Sequence, residues 1–363
     1  MNRRTFLRVG LGATSVHVLT DAVRPRTAGA AEPPALARLQ PGPVKQEVAR
    51  LIEGSRAEGK VVIYAPASLG EKFGRHFRAY CGLPESFAVE EAVYKTADLQ
   101  GRLETELKAG KLAADFVRFP MGPWLFGLKA KGLLQEWANP EEKAYATIHA
   151  EPGYWVPTMW VPVIIWNPQK VQDTLEGWGD LLNPKHVGRV AIGDASKSAG
   201  WTQYFYVLRT KLSAKYFEDL ARIKPGFIVS SETLVEAAVS GEYPIVVSTS
   251  FSAYRAVTQN KAALRVAYPK DGIVPVVDGF FSFKSAPHPN AARLVRLFHA
   301  SKEGQQYLMG ESGYLSFRPD VESPNERLLP LITKLNLIPF DYRKVAQKEL
   351  DQFRKTFIRT FGL

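Results

Sequence analysis

The chain has 363 residues, 45% of them hydrophobic and 11% aromatic, and a formal net charge of +11. That composition builds an ordinary globular core. A lone cysteine, Cys81, excludes an internal disulfide and cysteine-held zinc or iron–sulfur centres, and reads as a small buried hydrophobe. No dense Lys/Arg block points to nucleic acid, so the basic surplus reads as a solubilising surface that also draws in anions.

The chain opens with Arg3, Arg4, Phe6 and Leu7 ahead of a mildly apolar stretch, followed by Ala28-Gly29-Ala30-Ala31. This is the pattern of a twin-arginine export signal over 1–31 with a small-residue cleavage site. The stretch 9–19 is well short of the roughly 20 residues that span a bilayer. No cysteine near the cleavage point offers a lipid anchor, so the expected location is the periplasm. The first 30 residues carry five arginines against Asp21, a surplus of four, which leaves +7 on the rest. About 330 residues then remain, a length that suggests two lobes.

Residues 32–44 are proline-rich and read as a flexible mature N-terminus. Val48, Leu51 and Ile52 mark a helix, and the run 61–64 a strand that opens into Ala65–Gly70 and a further helix. The pattern recurs with strands at 88–94 and 114–119 around a helix carrying Leu103 and Leu107. Further apolar strands are expected at 161–166, 190–193, 243–248 and 274–283, with helices at 200–210, 290–300 and 304–309. In the tail, Ala346, Leu350, Phe353 and Phe357 share one helical face. Short, nearly continuous apolar strands alternating with helices predict an α/β fold with mostly parallel sheets flanked by helices.

Several segments, in order, carry a resemblance: 59–64, Ala114-Asp115-Phe116-Val117, Gly132-Leu133-Leu134, 178–182, 185–190 and, most tellingly, 284–292. Through them the chain resembles the periplasmic solute-binding proteins of ABC importers. The nearest group is the extracellular solute-binding family that includes the ferric-iron, phosphonate and sugar-phosphate binders. The resemblance implies a type II two-lobed binding fold with two hinge crossovers. It divides the chain into 45–165 plus 280–330 for lobe 1, 166–279 for lobe 2 and 331–363 for C-terminal packing helices. It also implies a membrane permease as partner and a monomer as the default state. The family's iron binders use a histidine in the first loop and an adjacent tyrosine pair in the second lobe. Here Ser68 stands about where the histidine falls, and Phe251-Ser252 about where the tyrosines fall. A phenyl ring and a hydroxyl do not replace two phenolates, so ferric iron is the weaker alternative.

Ligands of open α/β sheets sit beyond the carboxyl ends of strands. That rule selects four loops: 65–69 with Ser68; 95–98 with Thr96; 194–201 with Ser196, Ser198 and Trp201; and 248–254 with Ser250, Ser252 and Tyr254. Their hydroxyl residues stand at predicted helix starts, where free amides and the helix dipole favour an anion. Each is also an ordinary helix cap when taken alone. Lys95, Lys197 and Arg118 are candidate cationic contacts. Asp278 lies among apolar neighbours and needs a donor or cation, either internal or a ligand amine. Tyr154, Trp155 and Trp160 flank the expected first crossing, as cleft wall or as hinge packing.

No metalloprotease, nucleophile-elbow or phosphate-loop motif occurs, and His76, His149, His186, His288 and His299 are widely spaced. The expectation is therefore a non-enzymatic binder of a small anionic solute such as a phosphonate, phosphate ester or carboxylate, with no cofactor and no bound metal. A twin-arginine-exported enzyme with a cofactor is the alternative from another class.

Overall fold

The computed structural model describes residues 31–145 and 151–363. The export signal read over 1–31 lies, apart from Ala31, outside the described residues. Helices α1 (Pro34–Ala37) and α2 (Pro43–Glu58) lead to β1 (Lys60–Ala65), α3 (Phe73–Cys81), β2 (Ala88–Val93), α4 (Thr96–Ala109), β3 (Phe116–Pro120) and α5 (Pro123–Ala130). Strands β4 (Tyr154–Trp155), β5 (Thr158–Trp160), β6 (Pro162–Trp166) and β7 (Val190–Gly193) follow, then α6 (Ala199–Arg222), β8 (Gly226–Ile228) and α7 (Ser231–Ser240). The chain continues through β9 (Ile245–Thr249), α8 (Ser250–Thr258), β10 (Arg265–Ala267) and β11 (Val276–Phe281). It closes with α9 (Pro289–Ala300), α10 (Lys302–Tyr307), β12 (Leu315–Ser316) and α11 (Gln347–Phe361). Residues 32–44 are not loose throughout, since α1 lies within them and buries Ala35.

Two sheets organise these elements. A seven-stranded sheet runs β12-β5-β11-β3-β1-β2, with β4 also paired to β11; a five-stranded sheet runs β10-β6-β9-β7-β8. Among the strands of the two sheets, parallel pairing joins β1 with β2 and β3, and β7 with β8 and β9. The strands that enter or leave each sheet at the two crossings, β5, β6, β10 and β11, pair antiparallel. Both sheets are thus mixed rather than mostly parallel, because a chain that passes directly between sheets has no helical crossover to reverse its direction. Sheet membership puts Pro162–Trp166 in the five-stranded sheet and Val276–Phe281 in the seven-stranded one. The crossings therefore lie at Val161 and at 268–275, a few residues before the sequence-based boundaries.

The central strands β3, β6, β9 and β11 are buried at every position, which accounts for their unbroken apolar runs. The edge strands β2, β8 and β10 are less buried, and β2 is exposed and charged through Glu90 and Glu91, a pattern that discourages pairing with another chain. Helix α2 packs on α9, and the Glu58 carboxylate accepts the backbone N–H groups of Asn290 (3.0 Å) and Ala291 (2.8 Å). An acid at that helix start satisfies two orphan donors and complements the dipole.

The tail 331–363 holds one α-helix, α11, after an extended segment with two short 3₁₀ turns. That segment is stitched to the second crossing. Ile273 N–H donates to Asn336 O (2.9 Å), Ile338 N–H to Ile273 O (2.8 Å) and the Tyr342 hydroxyl to Pro275 O (2.7 Å). Helix α11 then buries Phe353 and Phe357 against α6, with the Phe357 and Phe205 rings stacked at 5.6 Å.

Candidate functional site

The parallel strands of the two sheets aim their carboxyl ends at one another, and a cleft of about 440 Å³ opens between them. Pro66 and Ala67 follow β1, Lys95–Asp98 follow β2, and Pro120 ends β3. Lys197–Trp201 follow β7, Val229–Glu232 follow β8, Thr249 ends β9 and Phe251 comes just after it. Asp278 and Tyr314 complete the floor, with Trp160 at the first crossing.

Four helices begin at this cleft, and they begin differently. On the five-stranded side each start is capped by its own side chain. Ser198 Oγ accepts from Trp201 N–H (3.4 Å), Ser230 Oγ from Thr233 N–H (3.3 Å) and Thr249 Oγ1 from Ser252 N–H (3.3 Å). Helix α4 on the other side has no capping side chain, and its N-cap residue is Lys95, which forms no ion pair among the described residues. Its first amides, in Thr96, Ala97 and Asp98, have no partner within the helix. Lys197 stands across the cleft, paired at 3.3 Å with Asp194.

The floor is a buried charge pair. Arg118 on β3 and Asp278 on β11 approach to 3.5 Å through Nε and Oδ2, with side chains 2% and 5% exposed. Arg118 Nη2 donates to Ala67 O (2.9 Å), and its guanidinium lies 5.0 Å from the Tyr314 ring centre. Arg118 Nε makes no hydrogen bond, and among the described residues no N–H or O–H donates to the Asp278 carboxylate. Burial raises the Asp278 pKa, and the Arg118 charge only partly opposes that. Burial likewise pushes the Tyr314 hydroxyl up to about 12, again with Arg118 opposing.

An aromatic face completes the wall. Phe251 stacks on Tyr314 at 5.3 Å, and Trp160 meets Phe251 and Trp201 edge-on at 6.1 and 6.0 Å. Two glycines allow this. A Cβ on Gly193 would fall 2.0 Å from the Trp201 ring, so only glycine lets that indole lie across β7. Gly313, at φ +74°, turns the chain where a Cβ would stand 2.9 Å from the Phe251 backbone, and so delivers Tyr314 to the cleft.

Of the residues selected from sequence, Lys95, Thr96, Trp160, Lys197, Ser198, Trp201 and Asp278 line the cleft. The rest do not. Ser68 turns to β2, donating to Glu91 Oε2 (2.8 Å) and accepting from Gly70 N–H (3.0 Å). Arg118 does not itself line the cleft but lies behind the lining residues Asp278, Ala67 and Tyr314. Ser196 donates to Asp194 Oδ1 (2.5 Å), and Ser250 Oγ accepts from Val161 N–H (3.3 Å) at the first crossing. Ser252 sits inside a network, accepting from Thr249 Oγ1 (2.9 Å) and donating to Glu232 Oε1 (3.2 Å). Tyr254 packs against Gly313 and is buried away from the cleft. Tyr154 and Trp155 are core residues of β4. Sequence reading missed 229–232, whose strand β8 is only three half-buried residues, and Tyr314.

Among the described residues no histidine lines the cleft, and no group of three His, Cys, Asp or Glu side chains is placed to hold a metal ion. No described helix is long and apolar enough to cross a membrane.

A family profile described as bacterial extracellular solute-binding protein matches residues 77–328. No curated protein matches the sequence significantly. Among solved structures, the chain is similar to the periplasmic binding protein AfuA from Actinobacillus pleuropneumoniae with exogenous fructose-6-phosphate bound. Identity is 20% and TM-score 0.69, over 84% of this chain and 99% of that one. It is similar to iron-bound HitA from Pseudomonas aeruginosa at 20% identity and TM-score 0.64, covering 84% and 99%. A substrate binding protein of an ABC transporter from Agrobacterium tumefaciens gives 16% identity and TM-score 0.71, covering 83% and 94%. At such identities the likeness is one of fold, a two-lobed α/β architecture with mixed sheets flanked by helices.

Proposed function

We propose that this chain, which belongs to the bacterial extracellular solute-binding proteins, captures a small organic anion in the cleft and delivers it to an ABC importer. The family is one of binding proteins, not enzymes. One observation carries the anion reading: α4 starts at the cleft without a cap, with Lys95 at its N-cap and Lys197 opposite. A helix start with free amides and adjacent cations is a ready anion seat, and phosphonate, phosphate ester or carboxylate oxygens suit it. The Ser198 hydroxyl accepts its capping bond and still has a proton to donate to the same oxygens. The aromatic face then takes the carbon skeleton. With contacts from both lobes, ligand binding favours the closed state over the open one. Export by the twin-arginine route, a periplasmic location and a monomeric state complete the proposal.

The test is a thermal-shift screen of phosphonates, sugar phosphates, carboxylates, diamines and ferric iron. A ligand that binds only the folded chain raises the melting temperature by mass action. The expected outcome is stabilisation by one anionic class, abolished in Ser198→Val while the unliganded melt stays within a few degrees. Stabilisation by diamines or iron alone overturns the reading.

A further inference from the structure

The anion seat leaves the other end of the cleft unexplained. Asp278 is buried, faces the cleft and accepts no hydrogen bond among the described residues. Its one cationic neighbour, Arg118, is held off at 3.5 Å because a second guanidinium nitrogen is spent on Ala67 O. A carboxylate in that position wants a donor, and the open side from which one can arrive is the cleft. The adjoining wall is the ring series Trp160, Phe251 and Tyr314; Phe251 and Tyr314 stack on each other and already meet the Arg255 and Arg118 guanidinium groups, so Trp160 is the ring left to meet a ligand cation. A carboxylate beside an aromatic face suits an ammonium group better than a hydroxyl, since only the ammonium gains from both.

We infer that the solute is a zwitterion, an amino-phosphonate or amino acid type of molecule, with its acidic end at the start of α4 and its ammonium at Asp278. This rests on the anion reading above and narrows it. Arg118 is then a positioning residue: it holds Asp278 at the floor while leaving the oxygens free for the ligand.

The test compares three probes of one skeleton on the full chain by calorimetry: aminoethylphosphonate, ethylphosphonate and hydroxyethylphosphonate, with aminobutanoate, butanoate and hydroxybutanoate as a parallel carboxylate set. In at least one set the amino compound is expected to bind about tenfold tighter than both counterparts, the size of one charge-assisted hydrogen bond. Asp278→Asn abolishes that preference, so that on the variant the amino compound binds no tighter than its two counterparts. The wild-type comparison stands even where that variant folds poorly. Equal binding within each set, or tighter binding of the hydroxy compounds, overturns the zwitterion and leaves the anion seat intact. Binding by none of the six while diamines bind removes both readings.

Discussion

The two sides of the cleft handle the same groups in opposite ways. On the five-stranded side polar atoms satisfy one another: Ser198, Ser230 and Thr249 cap their helices, and Glu232 gathers Ser252, Ser230 and Arg255. On the seven-stranded side they are left open, at the uncapped start of α4 and at the Asp278 carboxylate. Self-satisfied groups build a preformed wall, whereas open groups state what is missing. The contrast teaches that a hydroxyl at a helix start is weak evidence for a ligand once it is committed as a cap. An absent cap is stronger evidence.

The largest way to break this contrast is Arg118→Leu, which leaves Asp278 buried without its cation. Loss of one partner of a buried pair costs about 3–5 kcal/mol at neutral pH. The sign with pH follows from the raised pKa of Asp278. Its folded form keeps a proton that the unfolded chain releases near 3.8, so its contribution favours folding in acid and is lost as pH rises through the raised value. Chemical denaturation across that range should show the Arg118→Leu deficit shrinking toward acid; a deficit independent of pH rejects the pairing.

Lys95→Asp gives α4 the cap it lacks. The unliganded chain should gain about 1 kcal/mol, while affinity for the anionic ligand falls about a hundredfold as the seat is filled from within. A cap that stabilises without harming affinity moves the anion elsewhere. Thr249→Ala, on the self-satisfied side, should do the reverse, costing about 1–2 kcal/mol by denaturation with affinity shifted less than about threefold. The smallest effect is expected from Ser68→Ala, within about 0.5 kcal/mol and without change in ligand titration. A marked loss of affinity there brings the first loop back into the site.

Much of this arrangement is legible in sequence, because strand-then-hydroxyl segments after β1, β2, β7 and β9 do lead to one cleft. What the pattern cannot carry is direction. Ser68 and Ser196 have the right composition in the right loops, yet the Glu91 and Asp194 carboxylates lie within hydrogen-bond reach and claim their hydroxyls. Arg118 sits at a strand end like a contact residue, but its position opposite Phe280 sends it beneath the floor. The 229–232 loop escapes notice because β8 has no apolar run to announce it. Tyr314 escapes because its placement depends on the Gly313 turn after a π-helical turn, Leu308–Ser312, which no periodicity reveals. The mixed sheets have the same origin, since pairing direction is set by how the chain re-enters a sheet.

The stitched tail has a mechanical consequence. Its extended part grips Ile273 and Pro275, and its terminal helix grips α6, so the second crossing and the five-stranded lobe are splinted together. Any swing of one lobe against the other must then find its pivot outside the splint. The shorter link remains: Val161, the lone residue joining β5 to β6, whose amide is already tethered to Ser250. The tail also reaches the seven-stranded side, where Arg343 pairs with Glu151 beside β4 at 3.0 Å, so any such swing has to break that ion pair.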